Sequence, residues 1–134
     1  MVEDNAADVF LIREALRTRG ISAELQVVKD GEQATRFFDE ADKDETSPCP
    51  ELMILDINLP RMNGGQVLEH MRQSRRCGQA CVIVVSTSDS PQDREEMHRL
   101  GANGYFRKPS DYDEFLKLGD LVRDLFGGAA EPEQ

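Results

Sequence analysis

Two runs constrain what this chain can fold into: Leu52-Met53-Ile54-Leu55 and Cys81-Val82-Ile83-Val84-Val85, each wholly apolar and each followed at once by polar residues. Continuous apolar runs of this length, rich in β-branched residues, suit strands buried on both faces, as in a parallel sheet covered by helices on either side. The first run ends in Asp56 and the second in Ser86-Thr87-Ser88. In open α/β sheets ligands bind in the crevice beyond the strand carboxyl ends, so an aspartate there is well placed for chemistry and poorly placed for core packing.

The rest of the chain alternates accordingly. Met1-Val2 precedes Glu3-Asp4-Asn5 as the stub of a strand. Residues 6–19 carry Val9, Ile12 and Leu16, with Phe10, Leu11 and Ala15, at helical spacing, and Gly20 stands at the C′ position. Leu25-Gln26-Val27-Val28 favours a strand, and Lys29-Asp30-Gly31 turns into a helix with Ala34, Phe37, Phe38 and Ala41 inward. Residues 42–47 form a polar loop, and Pro48 and Pro50 rule out regular structure before Leu52. After Asp56, Pro60, Gly64 and Gly65 mark a loop before a helix with Val67, Leu68 and Met71 inside. Pro91 opens the next helix and Gly101 ends it, with Met97 and Leu100 apolar. Gly104-Tyr105-Phe106-Arg107 is the last strand, followed by Lys108-Pro109. A final helix capped by Ser110 turns Phe115, Leu118, Leu121, Val122, Leu125 and Phe126 inward and ends at Gly127-Gly128. Such alternation predicts a doubly wound parallel sheet with right-handed crossovers. One domain over residues 1–128 and a flexible acidic tail over 129–134 account for the whole length.

A net charge of −10 and a pI near 4.6 exclude direct binding to nucleic-acid backbone or anionic lipid. Cys49, Cys77 and Cys81 are odd in number, show no CxxC spacing and lack nearby histidines, so they read as thiols in a reducing compartment. No apolar run reaches a membrane span or a signal h-region, and a soluble cytoplasmic protein is expected.

With parallel strands, Glu3, Asp4, Asp56, Ser86 and Lys108 converge on one sheet edge. Crowded carboxylates raise one another's pKa or take up a cation, and hard oxygen donors favour Mg²⁺. Lys108 supplies a fixed positive charge and Ser86 a hydroxyl. With the metal, these can neutralise the equatorial oxygens of a transferring phosphoryl group, Asp56 acting as nucleophile. Taken singly, Glu3-Asp4 also fits a solvated turn, Ser86 a helix cap and Lys108 a surface lysine. The joint spacing favours chemistry.

In these motifs the chain resembles the receiver domain of two-component response regulators. The match runs from Val2-Glu3-Asp4-Asn5 through Asp56-Ile57-Asn58-Leu59-Pro60-Arg61-Met62-Asn63-Gly64 to Ser86 and Lys108-Pro109. The resemblance implies a flavodoxin-like fold: five parallel strands in order 2-1-3-4-5, flanked by five helices. It also implies that Asp56 accepts phosphate from a histidine kinase. Mg²⁺ is then held by Glu3, Asp4, Asp56 and the Asn58 backbone carbonyl, Lys108 and Ser86 grip the phosphoryl group, and Tyr105 is the switch aromatic coupled to Ser86. A cis Lys108-Pro109 bond is expected. Such a protein catalyses its own phosphorylation and slow dephosphorylation but is no turnover enzyme. In style the chain is most similar to small single-domain regulators paired with phytochrome-type kinases, which implies a bacteriophytochrome-like kinase and an unidentified downstream protein as partners.

Three departures from the family pattern carry expectations. The first strand is cut to Met1-Val2. Either Met1 is an internal strand residue, or backbone groups of the neighbouring strands go unpaired and the metal site at Glu3 and Asp4 suffers. Ser86 replaces the commoner threonine, which loosens its coupling to Tyr105. Thr87 replaces a frequent alanine, and with Asn58 and Ser88 it tunes the dephosphorylation rate. Phe106, Tyr112 and Phe126 offer an apolar patch for homodimerisation or docking through the last strand and helix. Two rivals are a haloacid-dehalogenase-like phosphatase, disfavoured because Asn58 cannot serve as its general acid, and a phosphate-independent pseudo-receiver.

Overall fold

The structure is a computed structural model that describes residues 1–22, 25–59 and 62–130, the last five of these by backbone alone. Three parallel strands, β1 (Leu52–Leu55), β2 (Cys81–Ser86) and β3 (Gly104–Arg107), form a sheet in that order. Leu52 pairs with Cys81 and Leu55 with Val84, while Ile83 pairs with Gly104 and Ser86 with Arg107. Asp56 and Lys108 therefore each lie one residue past the end of a strand, on the same edge as Ser86.

The predicted first and second strands reduce to single bridges. Val2 pairs in parallel with Leu55 on one side and Val28 on the other. Three residues nevertheless complete the local ladder. The Val2 N–H donates to Ile54 O (2.8 Å), Asp56 N–H to Val2 O (3.0 Å), Glu3 N–H to Val28 O (3.0 Å) and Val28 N–H to Met1 O (2.9 Å). Both sides of the gap are hydrogen-bonded where the site needs them, so the feared loss of pairing at Glu3 and Asp56 does not occur. Five extended strands in regular order are not formed among the described residues, because a stub this short cannot supply two consecutive bridges to either neighbour.

Strand side chains alternate between two cores. Met53, Leu55, Val82 and Val84 pack with Ala34, Phe38, Val67, Leu68, Met71 and Met97. Those partners come from α2 (Gly31–Lys43), α3 (Gly64–Arg72) and α4 (Pro91–Arg99). Ile54, Ile83 and Val85 face the opposite way, onto Ile12, Ala15, Leu16, Phe115, Leu118 and Val122. These belong to α1 (Ala6–Thr18), α5 (Tyr112–Phe115) and α6 (Lys117–Ala130). Burial on both faces is why the strands read as unbroken apolar runs.

The helix boundaries follow local chemistry. Asn5, Asp30, Asn63 and Ser90 cap α1 to α4 with side-chain acceptors, and Gly20 (φ 72°) and Gly101 (φ 108°) take the left-handed conformation just past α1 and α4. The last helix differs from expectation. Asp111, not Ser110, is its N-cap, and it is broken at Leu116 into α5 and α6. Gly127-Gly128 does not end it, since α6 continues to Ala130. The expected tail thus begins inside a helix, and its residues 131–134 lie outside the described residues. Leu125 is 38% exposed rather than inward.

Two further expectations are corrected. Cys49 and Cys77 form a disulfide that ties the segment before β1 to the loop after α3, across 28 residues of sequence, and only Cys81 is a free thiol. No repeated spacing announced this pair; packing of the two loops brings its Cα atoms to 5.3 Å. Lys108-Pro109 is trans, there being no cis peptide among the described residues, in keeping with the intrinsic preference of X–Pro bonds. No helix among the described residues is long and apolar enough to cross a membrane.

Candidate functional site

At the carboxyl edge of the sheet, Asp56 is 6% exposed and Glu3 2%, an unusual degree of burial for carboxylates. Each is placed by backbone geometry: Asp56 by its N–H bond to Val2 O, Glu3 by its N–H bond to Val28 O. One oxygen from each of Glu3, Asp4 and Asp56 falls within 4.8 Å of the others, and Asp4 alone of the three is exposed. That donor set is hard, anionic and tightly grouped, the chemistry a divalent cation such as Mg²⁺ requires.

A lysine already answers part of this negative charge. Lys108 Nζ, on a side chain only 8% exposed, lies 2.8 Å from Asp8 Oδ2, 3.0 Å from Glu3 Oε1 and 3.5 Å from Asp56 Oδ2. Its backbone N–H donates to Ser86 O at 2.7 Å, which fixes where the side chain starts. Burial on its own would lower the lysine's pKa. Hydrogen bonds to Asp8 and Glu3, with the charges of Glu3 and Asp56, outweigh burial and hold it above its ordinary value. Burial pushes the Glu3 carboxyl up to about 7, against the opposing pull of Lys108 and with the Asp56 charge adding to the rise. The rise at Glu3 thus comes first from burial and only secondarily from the neighbouring Asp56 charge, while Lys108 sets a positive charge against Glu3 and Asp56.

The Asp56 carboxylate is oriented from its other side. Its Oδ1 accepts the Asn58 backbone N–H at 3.0 Å, while the Asn58 side chain is exposed. Gly64 allows this loop to close. A Cβ at Gly64 would lie 2.5 Å from Ile57 Cα and 2.8 Å from Asp56 O, and both of those are backbone atoms that cannot swing away.

Ser86 is fully buried, and its Oγ accepts the Ser88 N–H at 3.1 Å. The Tyr105 hydroxyl donates to Ser88 O at 2.9 Å. Ser86 and Tyr105 are therefore joined through the Ser88 backbone rather than directly. The half-buried Tyr105 ring also carries the Arg94 guanidinium 4.6 Å from its centroid, and the Ser88 hydroxyl bonds Asp93. Thr87 is exposed.

Sequence reasoning brought together Glu3, Asp4, Asp56, Ser86 and Lys108, and the structure places all five at this edge. It missed Asp8, Asp93 and Arg94. The signal for Asp8 was its position in the first turn of α1, four residues beyond Asp4, which alone reads as an acid favoured by the helix dipole. The apolar patch foreseen for pairing is diminished: Phe106 is half-buried, its ring 5.8 Å from that of Phe115. Tyr112 remains 45% exposed, and the Phe126 side chain lies outside the described residues.

Comparison with known proteins agrees with this geometry. A family model for the response regulator receiver domain matches residues 1–119. The response regulator Rcp1 of Synechocystis is 34% identical over 118 residues, covering 88% of this chain and 80% of that protein. The crystal structure of its Mn²⁺-bound form superposes with a TM-score of 0.80 at 32% identity, over 93% of this chain and 90% of that one. The phosphorylated cyanobacterial phytochrome response regulator RcpA gives a TM-score of 0.83 at 28% identity, over 98% of this chain and 95% of that one. The receiver domain of a Pseudomonas aeruginosa sensor histidine kinase, with magnesium coordinated in its active-site cleft, gives 0.71 at 25% identity, over 94% and 93%. With the motif spacing, the parallel-sheet edge and the match over residues 1–119 in agreement, the chain belongs to the response regulator receiver domain family.

Proposed function

We propose that the chain accepts a phosphoryl group onto Asp56 from the phosphohistidine of a sensor histidine kinase of the phytochrome class, and signals by docking or dimerisation. The observation that carries this reading is a buried Asp56 carboxylate with Lys108 Nζ 3.5 Å from one oxygen, inside a cluster of three acids within 4.8 Å. The phytochrome pairing is supported by likeness to RcpA, a cyanobacterial phytochrome response regulator.

In the transfer, a bond forms between an Asp56 oxygen and phosphorus while the phosphorus–nitrogen bond of the donor breaks, its electron pair leaving with the imidazole. Glu3, Asp4, Asp56 and the Asn58 backbone carbonyl would hold Mg²⁺, which supplies charge neutralisation at the phosphoryl oxygens. This chain contributes three things of its own. The Asn58 N–H fixes one Asp56 oxygen. Lys108 brings a cation that burial cannot strip of its proton. Ser86, linked through Ser88 to Tyr105, reports on the site by way of the loop after β2. Asn58, Thr87 and Ser88 tune how long the aspartyl phosphate survives.

The test is transfer of radiolabelled phosphate from an autophosphorylated phytochrome-type histidine kinase. Label is expected on the native protein in the presence of Mg²⁺, and none on Asp56→Asn. Persistence of label on Asp56→Asn would remove Asp56 as acceptor.

A further inference from the structure

Lys108 has three carboxylate partners, and they do not have the same duties. Glu3 and Asp56 belong to the acid cluster that suits a divalent cation; Asp8 does not. Yet Asp8 makes the shortest of the three contacts, 2.8 Å against 3.0 Å and 3.5 Å. The two come from different elements: Lys108 follows the end of β3, and Asp8 stands in the first turn of α1. Local structure holds Asp8 in place, because its backbone N–H donates to the Asn5 side chain that caps the helix, at 3.1 Å.

A cation taken up by Glu3, Asp4 and Asp56 draws two of the lysine's three partners away from it. Without a third, the buried ammonium would have to keep Glu3 and Asp56 for itself or stand unpaired, and an unpaired buried charge is strongly disfavoured. We infer that Asp8 is a positioning residue, the metal-independent counter-ion of Lys108, which frees Glu3 and Asp56 for the divalent cation and holds the lysine in place beside Asp56. This rests on the reading of the acid cluster as a Mg²⁺ site.

The bland account makes Asp8 a first-turn acid that favours the helix dipole and adds a remote negative charge. A double-mutant cycle separates the two, because a remote charge acts whether or not Lys108 is present, whereas a counter-ion acts only through it. Mg²⁺ affinity is measured by titration calorimetry on the full chain without any phosphodonor, for the native protein, Asp8→Asn, Lys108→Met and the pair, with circular dichroism as the check on folding. Asp8→Asn is expected to weaken Mg²⁺ binding by about tenfold, and by no more than about threefold when Lys108→Met is already in place. An equal loss in both backgrounds, or no loss in the native one, overturns the inference. Asp8→Glu keeps the charge and is expected to stay within about threefold of the native affinity, so a loss as large as that of Asp8→Asn also counts against it. If the native protein takes up no Mg²⁺, the metal reading of Glu3, Asp4 and Asp56 falls and this inference with it. If it binds Mg²⁺ but shows no coupling between Asp8 and Lys108, this inference alone falls.

Discussion

Glu3 shows how far one side chain can be pushed by its surroundings. Its carboxyl ionises at about 7 in the folded protein against an ordinary value of 4.5. Between those pH values the folded state holds a proton that the unfolded state has lost, so the contribution to stability is full below 4.5 and disappears as pH rises through 7. Comparison of the native protein with Glu3→Gln isolates this contribution. In chelator, Glu3→Gln should gain about 1–3 kcal/mol on the native protein between pH 5 and pH 8, read from urea denaturation. An unchanged difference across that range would mean Glu3 ionises normally. Asp56 and Lys108 were legible because each follows a strand, where position alone says which edge it joins. Asp8 was not, since any helix accepts an acid in its first turn, and only the fold brings that turn to Lys108.

The same contrast holds for the strands and helices. β1 and β2 announce themselves as unbroken apolar runs because both faces are covered, while Pro91 marks the start of α4 and Gly20 and Gly101 mark the ends of α1 and α4. The shortened strand was legible as an oddity, but not its consequence. That depends on which backbone groups pair, and Met1 to Glu3 place theirs against Val28, Ile54 and Asp56. The break in the last helix at Leu116 left no mark in its apolar spacing, which runs on through Leu118 and Val122. The start of α3 offers a sharp test of how tightly an element holds the site. A Cβ on Gly64 meets backbone at Ile57 and Asp56, whereas one on Gly65 meets the ends of side chains, Met97 and Leu100 among them, at 3.3–3.4 Å. Gly64→Ala should lower stability by about 1–3 kcal/mol and slow phosphorylation of Asp56, while Gly65→Ala, with its better helix propensity, should change stability by less than about 1 kcal/mol. Chemical denaturation of both variants checks this, and equal effects would show that the contact at Ile57 relaxes freely.

The molecule as a whole is a sheet with two cores, fastened at the end opposite its site. The Cys49–Cys77 disulfide lies before β1 and after α3, so it constrains the unfolded chain over 28 residues without touching the acid cluster. Chain-entropy reasoning assigns such a loop about 3–4 kcal/mol. Cys49→Ser should therefore lower stability by up to that amount, read by denaturation without reductant, and leave Asp56 phosphorylation intact; equal stability would mean the pair is not closed in solution. The cysteine count could not foretell the pair, because two residues far apart in sequence meet only once β1 and α3 are packed. Three of the chain's 26 acidic residues, in contrast, meet in one cluster at the sheet edge. The decisive measurement is intact mass after incubation with acetyl phosphate, with and without Mg²⁺, on the native protein and on Asp56→Asn. A gain of one phosphoryl group that requires Mg²⁺ and vanishes in Asp56→Asn is the expected result. A folded native protein that gains none, or an Asp56→Asn variant that gains one equally, would contradict the assignment of this edge as a phosphoacceptor site.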